Sequence, residues 1–309
     1  MIFSDHSKTA GNTPLVALNR VGGDGRIAAK LEMRNPCGSV KDRLGIALVE
    51  DAERRSLIGP GATLVEATGG NTGVGLAFVA AIRGYRLILT MPDSMSTERV
   101  ALLQQLGAEI VLTPGILMTE AVAQAKAIAA RTPGAYLINQ FDNPANPEIH
   151  RRTTGPEIWE QTQGGVDVFV SAIGTGGTVT GVGELLKERK PSVKVIGVEP
   201  SGAALLSGGK VGQHAMPGIG VGFVPSVLNR GIIDEVQVVT DQEAIACAQD
   251  LARREGILAG VSSGAALCAA LRIAQRPTMS AKLIVVLLAD TGERYITTRL
   301  FRQQVRNAL

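Results

Sequence analysis

Val166-Asp-Val-Phe-Val-Ser-Ala-Ile173 runs directly into Gly174-Thr-Gly-Gly-Thr178, and a helical run follows from Val179. A near-continuous apolar strand that feeds a glycine turn and then a helix is the building unit of a parallel α/β sheet covered on both faces. The same alternation extends in both directions. Short runs rich in Val, Ile and Leu begin at Arg26 (RIAAKLEM), Ala62 (ATLVEA), Tyr85 (YRLILTM), Ala108 (AEIVL) and Ala135 (AYLIN). Two more begin at Val193 (VKVIGVE) and Lys282 (KLIVVLLA). Between strands, Met118, Ala121, Val122, Ala125, Ile128 and Ala129 share one helical face, and a second helix is predicted through 244–254. The fold class expected is therefore α/β with mostly parallel sheets.

The 309 residues suffice for one large domain or two intimate ones. Lys and Arg total 31 against 28 Asp and Glu, a net charge of +3 without any basic block, which speaks against a nucleic-acid binder. There are 37 glycines but only 3% aromatics, so the glycine serves backbone geometry and its clusters become the question. Cys37, Cys247 and Cys268 form no CxxC pair and read as free thiols of a reducing compartment, with no metal site. The N-terminus lacks an apolar signal-like segment, and the apolar windows 77–82 and 283–289 are far below the ~20 residues that span a bilayer. A soluble cytoplasmic protein is expected. The stretch 143–156, with three prolines, breaks the alternation and is the best internal boundary, whereas 201–225 reads as one long glycine-rich loop.

Four glycine clusters stand out. The loop 174–178, between strand and helix, offers backbone N–H groups and the positive end of a helix, a setting for phosphate. It does not match GxGxxG, because Val179 stands where the last glycine would be, and no P-loop surrounds Gly209-Lys210. A phosphate on something other than a dinucleotide or ATP is favoured. The second cluster, Glu66-Ala-Thr-Gly-Gly-Asn-Thr-Gly73, is dense in small polar groups and suits a small carboxylate. The third, Gly260-Val-Ser-Ser-Gly264, matches GxSxG, but His6, His150 and His214 all precede Ser262. The Ser–acid–His order of that hydrolase fold is thereby excluded, leaving Ser262 or Ser263 as a helix N-cap able to reach a ligand. The fourth, Gly218-Ile-Gly-Val-Gly222, lies in the long loop. In Asn35-Pro-Cys-Gly-Ser-Val-Lys41-Asp-Arg43, Lys41 falls at a loop-to-helix junction. A lysine there opposes the helix dipole, and with a lowered pKa it would be a Schiff-base nucleophile; a solvated lysine is the plain alternative.

Together these segments resemble the cysteine synthase (O-acetylserine sulfhydrylase) and cystathionine β-synthase family of pyridoxal-phosphate (PLP) enzymes. The matching motifs run nearly end to end: GNTPL at Gly11, NPCGSVKDR at Asn35, GNTG at Gly70 and MPDSMSTER at Met91. They continue as NPANPEIHRRTTGPEIW at Asn143, GTGGT at Gly174, GIGVGFVP at Gly218, GVSSGAA at Gly260 and TGERY at Thr291.

The resemblance implies two doubly wound α/β domains of the tryptophan-synthase-β type with PLP in the cleft between them. It implies a smaller, mobile substrate-side domain at 42–145 and a larger phosphate-binding domain from 1–41 and 146–309. Lys41 would hold PLP as an internal aldimine and later remove the α-proton. Gly174, Thr175, Gly176, Gly177 and Thr178 would cradle the cofactor phosphate, Asn71 would meet the PLP 3′-oxygen, and Ser262 would face the pyridine nitrogen. Thr68, Gly69, Asn71, Thr72 and Gln140 would bind the substrate carboxylate. The implied reaction makes L-cysteine from O-acetyl-L-serine and sulfide through an aminoacrylate. The same fold and cofactor also serve cystathionine β-synthase-like, β-cyanoalanine synthase or cysteine desulfhydrase activity, and a non-catalytic binding module is the reading from another class. A homodimer, and docking of the serine acetyltransferase C-terminal tail, are implied partners. Two departures bear on substrate identity: Gly69 stands where the family has serine in Thr-Ser-Gly-Asn-Thr, and Thr119, within 115–121, stands where it has lysine.

Overall fold

The computed structural model describes residues 2–22, 26–115 and 118–301. In chain order its elements begin β1 (Leu15–Ala17), β2 (Ile27–Leu31), α1 (Lys41–Arg54), β3 (Thr63–Ala67), α2 (Asn71–Arg83) and β4 (Arg86–Pro92). Next come α3 (Thr97–Gln105), β5 (Glu109–Thr113), α4 (Met118–Arg131), β6 (Ala135–Leu137), α5 (Ala145–Ile149) and α6 (Gly155–Gln161). The remainder is β7 (Val166–Ala172), α7 (Gly177–Arg189), β8 (Lys194–Pro200), β9 (Glu235–Val239), α8 (Asp241–Asp250), α9 (Val261–Ala274) and β10 (Leu283–Leu288). Among the described residues no helix is long and apolar enough to cross a membrane.

The chain divides into two compact units, one of residues 1–11 and 35–146, the other of 12–34 and 147–309. The boundary falls inside the proline-bearing stretch, at Asn146 and Pro147, yet that stretch is helical: α5 passes through a π turn (His150–Thr154) into α6. The expectation kept 1–41 with the larger domain. In the structure 1–11 and 35–41 go with the smaller unit, because the loop before Lys41 is tied to the start of α1: the buried Asp42 carboxylate accepts from the Cys37 and Ser39 N–H groups at 2.7 and 3.3 Å.

The smaller unit holds a wholly parallel sheet in the order β5-β4-β3-β6. Alternation along β3 sends Leu64 into a core with Leu44 and Leu48 of α1, Val74 and Phe78 of α2, and Leu89 of β4. Val65 and Ala67 point the other way, against Ala121 and Ala125 of α4. Each fully buried Leu of this core contributes roughly 1.5–3 kcal/mol. Helices α1 and α2 cross where neither has a side chain: a Cβ on Gly75 would lie 2.4 Å from the Lys41 carbonyl oxygen, and one on Gly45 2.4 Å from that of Gly75. The first turn of α2 therefore packs directly on the residue that opens α1.

In the larger unit the order is β1-β2-β10-β7-β8-β9, with β1 antiparallel to β2 and every other pair parallel. Val168, Val170, Ile284 and Val286 share a core with Ala265–Ala270 of α9 and with Ala244 and Ala248 of α8. Phe169 and Val195, on the opposite face, are equally buried where α7 packs. The contact between α8 and α9 again needs a glycine, since a Cβ on Gly264 would sit 2.0 Å from the Ala244 carbonyl oxygen. Strands β1 and β9 lie outside the sequence expectation, and the helix expected over 244–254 is α8 continued by a π turn (Leu251–Glu255).

Gly75→Ala is expected to cost about 1–3 kcal/mol, because backbone must move to admit the methyl group. The measurement is the urea midpoint at unchanged m-value; a midpoint equal to that of the parent refutes the close crossing.

Candidate active site

In the smaller unit, β3 ends in a turn that opens α2. The helix starts at Asn71 behind Gly70, and no side chain caps it. Thr68 turns inward instead, its Oγ1 accepting from the Gly70 N–H at 3.2 Å, with Thr68 and Thr72 both buried. Uncapped amides beside buried hydroxyls form a fit for a small carboxylate. Gln140, reached through the segment after β6, comes to this turn: the Thr72 hydroxyl donates to its Oε1 at 2.7 Å. Thr68, Gly69, Asn71, Thr72 and Gln140 thus converge within one unit, and α1 begins beside them with the half-buried Lys41 as its first residue. The Lys41 N–H donates to Ser39 Oγ at 3.2 Å.

Gly69 lies under Met95, which follows β4. A Cβ there would meet the Met95 Sδ at 2.8 Å and Cγ at 2.9 Å. The Arg99 guanidinium donates to the Gly69 carbonyl at 3.3 Å. Of the second departure, 115–121, Ile116 and Leu117 lie outside the described residues, and Thr119 sits in the first turn of α4.

In the larger unit the 174–178 loop joins β7 to α7. Gly176 has φ of +84°, caps α7 without any side-chain hydrogen bond, and a Cβ on it would strike the Leu228 side chain at 2.7 Å. A Cβ on Gly174 would lie 2.1 Å from the Gly218 carbonyl oxygen, so the fourth glycine cluster closes over the first. A helix start whose N-cap has no side chain, walled by two glycines and flanked by the buried hydroxyls of Thr178 and of Thr175, which accepts from the Gly177 N–H at 3.4 Å, fits a phosphate group.

Ser262 is buried, but it does not cap its helix. Gly260 holds the N-cap position of α9 and both serines lie within the first turn, correcting the expectation. The reason is crowding: a Cβ on residue 260 would lie 2.1 Å from Asp290 Oδ1. Ser263 Oγ instead accepts from the Ala289 N–H just after β10, at 2.9 Å. Because β10 neighbours β7 in parallel, the start of α9 and the 174–178 loop occupy the same carboxyl edge of the sheet.

Three residues near these sites escaped the sequence reading. His150 is fully buried; its Nε2 is 3.2 Å from Thr178 Oγ1 and its Nδ1 2.9 Å from Thr154 Oγ1. A histidine within a match to IHRRTTGP was the available signal. Met95 covers Gly69 through tertiary contact alone. Glu66 is buried beneath the α2 turn, and burial pushes its carboxyl from 4.5 up to about 7 against the donors of Asn139 and Gln140. Among the described residues no group of three or more His, Cys, Asp and Glu is placed to hold a metal ion.

The profile of the pyridoxal-phosphate dependent enzyme family matches residues 6–290, and the chain belongs to that family. It is 51% identical to cysteine synthase A of Escherichia coli K12 over 97% of this chain and 96% of that protein. It is 50% identical to the cysteine synthase of Buchnera aphidicola from Acyrthosiphon pisum, over 98% and 99% of the two chains. The crystal structure of the cysteine synthase of Entamoeba histolytica superposes with a TM-score of 0.93 at 40% identity, over 98% of this chain and 91% of that one.

Two outcomes are expected. Between pH 4.5 and about 7 folded Glu66 keeps a proton that the unfolded chain has released, so its contribution to stability falls as pH rises. The fall amounts to on the order of 3 kcal/mol across the window. Glu66→Gln should therefore gain on the parent in urea midpoint from pH 5 to pH 8, and a pH-independent difference refutes the shift. Gly69→Ser should lower stability by about 1 kcal/mol, because Met95 must give way, and Met95→Ala should relieve that loss. Additive losses in the double variant would speak against the contact.

Proposed function

We propose that this chain is a pyridoxal-phosphate-dependent cysteine synthase that makes L-cysteine from O-acetyl-L-serine and sulfide. One observation carries the reading: Lys41 opens α1, and the glycine-walled start of α7 is retained, in a chain about half identical to cysteine synthases along nearly its whole length. When bound, the cofactor supplies the aldehyde that condenses with amines and the electron sink that lets an α-proton and a β-substituent depart.

The roles of the residues follow from their chemistry. Gly174, Thr175, Gly176, Gly177 and Thr178 take the phosphate on backbone amides and two hydroxyls. Lys41 Nζ would hold the cofactor and, when freed from it, would accept the α-proton. Asn71 would donate its side-chain amide to the ring oxygen. Ser262 would offer a hydroxyl to the ring nitrogen, a partner that does not hold that nitrogen protonated as a carboxylate would. Thr68, Gly69, Asn71, Thr72 and Gln140 hold the substrate carboxylate and so orient Cβ for loss of acetate and arrival of sulfide.

The protein works as a homodimer in the cytoplasm; the free thiols of Cys37, Cys247 and Cys268 suit a reducing compartment. The carboxylate clamp would also receive the C-terminal carboxylate of serine acetyltransferase. With a glycine at 69 the clamp offers that tail one hydroxyl fewer than the family pattern does.

Purified protein should show the visible absorbance of lysine-bound cofactor, and Lys41→Ala should lose both that band and turnover. Unchanged absorbance in the variant overturns the role of Lys41. Turnover of O-acetylserine, O-phosphoserine, serine and cysteine against sulfide, cyanide and homocysteine tests the substrates. Fastest cysteine formation from O-acetylserine supports the proposal, whereas a preference for serine with homocysteine overturns it.

A further inference from the structure

We propose that Glu66 is a positioning residue for the carboxylate clamp: it fixes Gln140 against Thr72 and thereby sets the affinity for the amino-acid donor. The assignment rests on the clamp reading given above. Glu66 is the penultimate residue of β3, which lies between β4 and β6 in the sheet, and only 2% of it is exposed. A carboxyl group at such a place is expensive, so its partners explain its presence. One oxygen, Oε2, accepts from the Asn139 N–H at 2.7 Å. The other, Oε1, accepts from the Gln140 N–H at 3.5 Å.

These bonds act where the chain turns sharply. Asn139 has φ of +55°, a left-handed conformation that asparagine tolerates better than most residues. That residue turns the chain after β6 so that Gln140 comes back over the end of β3. The Asn146 side-chain amide also donates to the Gln140 carbonyl at 2.8 Å. The carboxyl thereby sets the Gln140 backbone, and from there the Gln140 Oε1 receives the Thr72 hydroxyl at 2.7 Å. The relay thus runs carboxylate, amide, hydroxyl, and every link is buried.

At pH 8, where the kinetics are compared and Glu66 is ionised, its carboxylate offers two accepting oxygens to this set of donors. A glutamine at 66 has the same shape but brings an NH2 of its own against the donors of Asn139 or Gln140. The conflict is relieved only by a shift of the Asn139–Gln140 backbone away from residue 66, which draws the Gln140 Oε1 off the Thr72 hydroxyl. Cofactor attachment uses neither group, and Thr68, Gly69 and Asn71 still orient the bound donor, so the change should appear chiefly in the donor constant.

The test is a steady-state comparison of holoenzymes carrying Glu66→Gln, Glu66→Asp, Thr72→Ala and the Glu66→Gln/Thr72→Ala pair. Glu66→Gln should raise KM for O-acetyl-L-serine about tenfold, as expected for a hydrogen bond to a charged group. Its kcat, its KM for sulfide and its cofactor absorbance should stay within about twofold of the parent. Glu66→Asp, which withdraws the oxygens by one methylene, should raise the donor KM about threefold and serves should the Gln variant fail to fold. In the double variant the effect of Glu66→Gln should largely vanish, since the relay ends at Thr72. Additive effects, or an unchanged donor KM in either Glu66 variant, overturn the assignment while leaving the clamp intact. A Thr72→Ala enzyme with an unchanged donor KM removes the clamp reading itself, and this assignment with it.

Discussion

The crossing of α1 and α2 is the constraint on which the smaller unit depends. Helix axes normally stay 8–10 Å apart because side chains intervene. At Gly45 and Gly75 the backbones touch directly, and a methyl group on Gly75 would reach the Lys41 carbonyl. That contact ties the first residue of α1 to the N-terminal half of α2. The position of Lys41 relative to Asn71 and Thr72 is consequently held by packing between two rigid helices.

Helix starts show a division of labour. Helix α8, remote from the chemistry, begins with a complete capping box in which Thr240 and Glu243 satisfy each other's backbone. Helices α2, α7 and α9, each assigned a ligand role, begin behind Gly70, Gly176 and Gly260, and none has a side-chain cap. The capping that would stabilise an ordinary helix by about 1 kcal/mol is withheld where a ligand anion or ring can take its place. Glycine therefore does two separate things in this chain. It lets backbones touch, as at Gly75 and Gly264, and it leaves amides exposed at helix starts.

Much of the fold was legible because buried parallel strands are apolar throughout. Every run expected from VDVFVSAI outward contains a strand, and two of the four glycine clusters, 66–73 and 174–178, fall where strands pass into helices. Strand β9 was not legible: it lies at the sheet edge, where Glu235 and Gln237 interrupt its apolar residues. Strand β1 is only three residues long. The loops of the site were readable from composition and order, but their linkage was not. Ser262 reads as a cap in isolation, and only the crowding of Gly260 by Asp290 shows why the cap must be glycine. Glu66 looks like the solvent face of a half-buried strand, and nothing local reveals that the chain after β6 returns to cover it. His150 likewise acquires meaning only through Thr178, which is distant in sequence.

The π turn at His150–Thr154 closes with the Gly155 N–H donating to the His150 carbonyl five residues back. It holds one residue more than an α-helical turn requires, and α7 lies against it so closely that a Cβ on Gly181 would meet His150 Cβ at 3.0 Å. Its five residues carry the chain about as far round the axis as four residues of ordinary α-helix, at about 100° each. The extra residue therefore leaves the helix on either side in phase and is taken up as local width. That width is the surface on which α7 rests at Gly181 and from which His150 reaches the Thr178 hydroxyl.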